Sequence, residues 1–164
     1  KAAPGPILRS GVRAGDRLWV TGRIGSSLET GHHLSFEPRI RAGLELRERL
    51  GQDLHSAIDV SDGLGRDAAR LARASRVRIV IEAVDVVLRV ATRSVEQAVS
   101  DGEDYELLFT TAPDAKLPAR LNDGTEVTCI GRADSDQREG RALLSMGDGS
   151  LLDMADMGWD HTGA

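Results

Sequence analysis

Apolar and polar positions along this chain switch between two periods, and the switches mark its elements. Asp16-Arg17-Leu18-Trp19-Val20-Thr21-Gly22 alternates and stops on glycine, which predicts a strand. From Arg23 to about His33 the pattern admits a short helix. Pro38 can open the next helix, because proline is tolerated in a first turn. Ile40, Leu44 and Leu50 give that helix a partial apolar stripe, and Gly51 suits its end. Leu54 to Val60 reads as a strand. The stretch from about Gly63 to Ser75 carries Leu64, Ala68, Leu71 and Ala72 at helical spacing, with arginines on the other face. Val77 to Ile81 and Tyr105 to Thr111 are further strands. Val84 to Val90 fits a strand or a loop, and Ser94 to Val99 a short helix. Asn122-Asp123-Gly124 signals a turn before a strand from Thr125 to Gly131. Arg141 to Met146 and Ser150 to Leu152 pair as a hairpin across Gly147-Asp148-Gly149.

Strands and helices intersperse without strict repetition, so the expected class is α+β, a mixed sheet with helices packed against it. Composition adds bounds. The chain has 164 residues, 40% hydrophobic and 29% charged, and only 3% aromatic, so aliphatic side chains must build the core. A net charge of -5 argues against a general nucleic-acid binder. Cys129 is the lone cysteine, which rules out an internal disulfide. There is no apolar run of membrane-spanning length. The chain opens on Lys1 without an initiator methionine or a signal peptide, and is read as a fragment of a cytoplasmic protein.

Two acidic segments carry the candidate chemistry. In Asp59-Val60-Ser61-Asp62-Gly63, strand alternation sends Asp59 and Ser61 the same way, and Asp62 begins the turn into a helix. A helix N-terminus attracts anions, paired carboxylates can hold Mg²⁺, and Gly63 would let a ligand approach the backbone. Serine and aspartate are equally good N-caps, so spacing alone leaves metal binding and capping level. Asp101-Gly102-Glu103-Asp104-Tyr105-Glu106 gathers four acids ahead of an apolar strand. A cation could offset their repulsion, although the pattern alone favours a solvated turn. Thr21-Gly22-Arg23-Ile24-Gly25-Ser26-Ser27 could cradle a phosphate on backbone N–H groups, but it lacks the Gly-Lys-Ser/Thr of a Walker loop. Trp159, in the tail, could stack on a flat ligand or anchor the chain end.

These segments occur together and in order. Arg9-Ser10-Gly11-Val12-Arg13-Ala14-Gly15-Asp16, Pro38-Arg39, Asp59-Val60-Ser61-Asp62-Gly63-Leu64, Gly102-Glu103-Asp104-Tyr105-Glu106-Leu107, Ile130-Gly131 and Gly158-Trp159-Asp160-His161 resemble the C-terminal domain of thiamine-monophosphate kinases. The resemblance implies a three-layer α-β-α domain of the aminoimidazole ribonucleotide synthetase type over residues 9–164. Residues 1–8 would be a linker from an N-terminal ATP-binding domain. It implies ATP- and Mg²⁺-dependent phosphorylation of thiamine monophosphate to thiamine diphosphate, with the fragment alone inactive and the full-length protein a homodimer. Asp59 and Asp62 would ligate Mg²⁺, Arg9 and Ser61 would contact ATP, and Glu103 and Trp159 the thiamine phosphate. No residue is assigned a catalytic role. Asp101 stands where the family has glycine, and the stretch from Val84 to Ser100 is shorter than usual. The alternatives are a related ATP-dependent enzyme with another substrate, and a non-catalytic binding domain.

Overall fold

A computed structural model describes residues 5–135 and 140–158. The strands are β1 (Arg17–Thr21), β2 (Leu54–Asp59), β3 (Arg78–Glu82), β4 (Leu107–Thr111), β5 (Val127–Asp134), β6 (Arg141–Ser145) and β7 (Leu151–Asp153). The helices are α1 (Ser27–Thr30), α2 (Ile40–Leu50), α3 (Leu64–Ser75) and α4 (Val95–Ser100). Among the described residues the strands form one sheet in the order β2-β4-β1-β5-β3-β6-β7. Neighbours are antiparallel except β3 and β6, which run parallel. The expected mixed sheet and the hairpin of β6 with β7 are both present.

Alternation along the strands separates two apolar layers. Leu18 and Val20 of β1, Ile58 of β2, Leu108 of β4 and Ile79 and Ile81 of β3 meet α3 and α4 on one face, through Leu64, Ala68, Leu71, Ala72, Ala98 and Val99. Trp19, Phe109 and Leu54 meet α2 on the other, through Ala42, Leu46 and Leu50. The indole N–H of Trp19 donates to Thr111 Oγ1 at 3.0 Å, so its one polar group is satisfied inside this second layer. A bulge in β5 passes from Gly131, opposite Leu18, to Cys129, opposite Trp19. It lets Ile130 and Ala133 face α3 while Val127 and Cys129 face α2.

Several boundaries differ from the sequence expectation. The helix expected over 23–33 is reduced to α1 and a separate turn at His32–Leu34, because Gly22, Gly25 and Gly31 all take positive φ. The stretch after β3 is neither strand nor featureless loop. It begins with a 3₁₀ turn, Ala83–Asp85, and then makes one isolated bridge, Leu88 to Ile24, outside the seven strands. The stripe expected on α2 is also corrected. Leu50 is buried, but Ile40 and Leu44 are 69% and 64% exposed, and the inward face is Ala42, Leu46 and Leu50. Ile40 and Leu44 instead line a surface groove of about 550 Å³ with Ile7, Phe36, Tyr105 and Asp59. No helix among the described residues is long and apolar enough to cross a membrane.

Strand directions bring three loops to one end of the sheet. β1 and β2 both end there and β4 begins there, so residues 21–27, 59–63 and 100–106 adjoin. The two faces of α2 predict unequal costs. Leu46→Ala should destabilise by about 2–5 kcal/mol, whereas Leu44→Ala should change stability by less than about 0.5 kcal/mol in urea unfolding. Equal losses would mean that the groove face is packed in the folded chain.

Candidate functional site

The turn after β2 and the acidic loop before β4 are laced together by main-chain hydrogen bonds. Val60 N donates to Glu106 O, Tyr105 N to Val60 O and Glu103 N to Ser61 O, each at 2.8 Å. The loop also binds the segment after β1, since Ser27 Oγ donates to Glu103 O at 2.6 Å. To make these contacts Glu103 and Tyr105 adopt left-handed backbone, with φ of 66° and 54°. Side-chain-bearing residues seldom do so unless their surroundings hold them there.

The four acids of the loop have separate fates. Asp104 is fully buried, accepts from Gly25 N at 3.0 and 3.1 Å, and pairs with Arg89 at 3.1 Å. Burial pushes its carboxyl up to about 6, against the opposing pull of the Gly25 N–H and Arg89. Glu106 is buried and takes both prongs of the Arg39 guanidinium, at 2.7 and 2.8 Å, with the Thr21 hydroxyl at 2.6 Å. Asp101 accepts from Ser26 N at 2.7 Å, which accommodates the acid locally where a glycine was expected. Glu103 is partly exposed and takes a side-chain bond from within the loop, from the Tyr105 hydroxyl at 2.7 Å. The solvated turn favoured by the pattern is therefore wrong for Asp104 and Glu106, whose charges are met by buried donors. Nor is the Thr21–Ser27 segment an open phosphate cradle, because Gly25 N and Ser26 N already hold Asp104 and Asp101.

The Asp59–Gly63 turn is corrected in the same way. Ser61 N and Asp62 N both donate to Asp67 Oδ2 at 3.0 Å, so an internal carboxylate braces the turn ahead of α3, and neither Ser61 nor Asp62 serves as the N-cap, which is Gly63. Arg70 joins Asp67 at 2.6 Å and also pairs with Asp62. Gly63 has φ 112°, and a Cβ there would meet the carbonyl oxygens of Asp101, Val99 and Ser100 at 3.0–3.2 Å. Its backbone is approached by α4 and the residue after it, not left open for a ligand. Asp59 is exposed at the strand end and faces the groove.

The structure thus places Asp59, Ser61 and Asp62 at the end of β2 and the turn after it, and Glu103 on the loop bonded to that turn. Arg9 is elsewhere: its carbonyl accepts from Ser75 Oγ at the far end of α3, a helix roughly 18 Å long. Trp159 lies outside the described residues, but Gly158 packs on the Asp62 carbonyl with no room for a Cβ. Among the described residues no cluster of three or more His, Cys, Asp or Glu could hold a metal. The sequence reading passed over Asp67, Arg70, Phe36 and Tyr105. Only the DxxR spacing of Asp67 and Arg70 on one helical face offered a signal.

No family model matches the chain. A thiamine-monophosphate kinase of Rhodopirellula baltica is 38% identical over 137 residues, 77% of this chain and 42% of that protein. Its counterpart in Halobacterium salinarum is 31% identical, over 94% of this chain and 56% of that protein. The chain therefore spans about half the length of these curated relatives. Among solved structures, AaThiL complexed with AMPPCP and TMP is 28% identical with a TM-score of 0.66, covering 94% of this chain and 54% of that one.

Two outcomes follow from the buried groups. Gly63→Ala forces a side chain into positive φ against three carbonyls, and should cost about 1–3 kcal/mol in thermal or urea unfolding. The folded-state value of Asp104 lies above its ordinary 3.8, so its contribution is fully present below pH 3.8 and is lost as pH rises through about 6. The stability of Asp104→Asn relative to the parent should therefore rise by up to about 3 kcal/mol between pH 4 and 7. A flat difference across that range would show that Asp104 is ionised at little cost.

Proposed function

Because this chain is homologous to the thiamine-monophosphate kinases over most of its length, we propose that it is about half of an enzyme transferring the γ-phosphoryl group of ATP to thiamine monophosphate. The fold is the aminoimidazole ribonucleotide synthetase-related one. The observation that carries the reading is the interlocked pair of acidic loops, which buries Asp104 and Glu106 and leaves Asp59 exposed and Glu103 partly exposed at one sheet end.

The residues present fit Mg²⁺ in part. Mg²⁺ is commonly held by one or two carboxylates, with waters and substrate phosphate oxygens completing its shell. Asp59 and Asp62 supply two such groups, and Arg70 already sets a positive charge against Asp62. Bound there, the metal would neutralise charge on the transferring phosphoryl group. Asp67 holds the backbone of the turn in shape through Ser61 N and Asp62 N. Ser61 and Arg9 are the proposed ATP contacts, and Glu103 and Trp159 the proposed contacts to thiamine monophosphate. The distance of Arg9 from Ser61 within this chain favours its serving a different part of the nucleotide, or a site completed by other parts of the assembly. An N-terminal domain carrying further metal ligands, a homodimer and a cytoplasmic setting complete the proposal.

Full-length protein should form thiamine diphosphate from thiamine monophosphate, ATP and Mg²⁺, detected by chromatography. Asp59→Asn should lower kcat roughly a hundredfold, equivalent to about 2.7 kcal/mol of transition-state stabilisation. No product at saturating ATP and Mg²⁺ would sink the reading.

A further inference from the structure

The groove onto which Asp59 opens carries an aromatic pair that no role has yet absorbed. Phe36 and Tyr105 stack with ring centroids 4.1 Å apart and planes 21° from parallel. Both rings line the groove together with Asp59. In a chain that is 3% aromatic, such a pair beside a carboxylate is a specific arrangement.

Tyr105 reaches this position through an unusual backbone. Its φ of 54° follows, two residues on, the 66° of Glu103. Hydrogen bonds from Tyr105 N to Val60 O, Glu103 N to Ser61 O and Ser27 Oγ to Glu103 O hold the conformation. Its product is that the Tyr105 hydroxyl donates to Glu103 Oε2 at 2.7 Å. Left alone, a half-exposed glutamate samples many rotamers and loses that freedom on binding a ligand. The hydroxyl removes much of it beforehand, and the Phe36 ring restrains Tyr105 in turn. Hydrogen bonding to Glu103 also raises the phenol above its usual pKa, which keeps it a donor.

We propose that Tyr105 is a positioning residue, supported by Phe36, which holds the Glu103 carboxylate ready for the cationic ring of the substrate. This rests on the reading of Glu103 as a contact to thiamine monophosphate. A fixed carboxylate beside an aromatic face suits a flat, positively charged heterocycle and is indifferent to the nucleotide.

The test is steady-state kinetics of the full-length protein with thiamine monophosphate and ATP varied in turn. Tyr105→Phe, which removes only the hydroxyl, should raise KM for thiamine monophosphate roughly tenfold, with KM for ATP and kcat within about twofold of the parent. Phe36→Leu should act in the same direction. Glu103→Gln should raise the same KM, and adding Tyr105→Phe to it should produce no further loss, because the hydroxyl acts through that carboxylate. Melting midpoints should stay near the parent value. If Glu103→Gln raises KM and Tyr105→Phe does not, the positioning role is overturned and the kinase reading stands. If Tyr105→Phe raises both KM values and lowers the midpoint, its role is structural and the inference is overturned. If Glu103→Gln has no effect, the substrate role of Glu103 fails and this inference goes with it.

Discussion

The buried carboxylate of Glu106 holds this end of the molecule together. It takes both prongs of Arg39 from the start of α2, the hydroxyl of Thr21 from the end of β1, and stands where β4 begins. Thr21 Oγ1 in turn accepts from Leu107 N, so one charge ties two strands and a helix into a closed set. A charge in such a place is tolerable only when its oxygens are fully met, and removing a single partner leaves it stranded. Gly22 is part of the same constraint, since any side chain there would run into that carboxylate. The direction of α2 follows, and with it the groove that Ile40, Leu44 and Phe36 form above the sheet.

From this anchor the acidic loop is sorted residue by residue. Asp101 and Asp104 fasten it to the segment after β1, while main-chain bonds fasten it to the turn after β2. Glu103 is partly exposed and steadied by Tyr105, and Asp59 stands exposed at the lip of the groove. The acidity of the motif is thus mainly a device for joining three loops. That rigidity suits the phosphoryl transfer proposed for the whole protein, because positioning supplies much of the rate when there is little covalent chemistry to perform.

The second acidic turn shows the same economy. Asp67 takes two backbone N–H groups of the turn ahead of α3, and Arg70 links Asp67 with Asp62, so bracing of the turn and charge pairing are achieved within one helical turn. Capping and metal binding were level as readings of the sequence. The structure gives α3 no side-chain cap: Gly63 stands at its N-cap, and Asp67 reaches back to the turn ahead of it.

The sequence by itself determined the elements whose period is strong: the alternation of β1, the helical face of α3, the glycine-marked hairpin of β6 with β7, and hence a mixed α+β sheet. It also determined, through motifs in order, which family the chain resembles. Tertiary structure alone decided which face of α2 is buried, because Ile40 and Leu46 are equally apolar and only the sheet beneath distinguishes them. It alone decided that Asp104 and Glu106 turn inward while Glu103 does not, since their donors come from residues 15 to 85 positions away. Local pattern records charge and period, but the partner of a buried charge is chosen by strand order, and strand order is not written in any window of the chain.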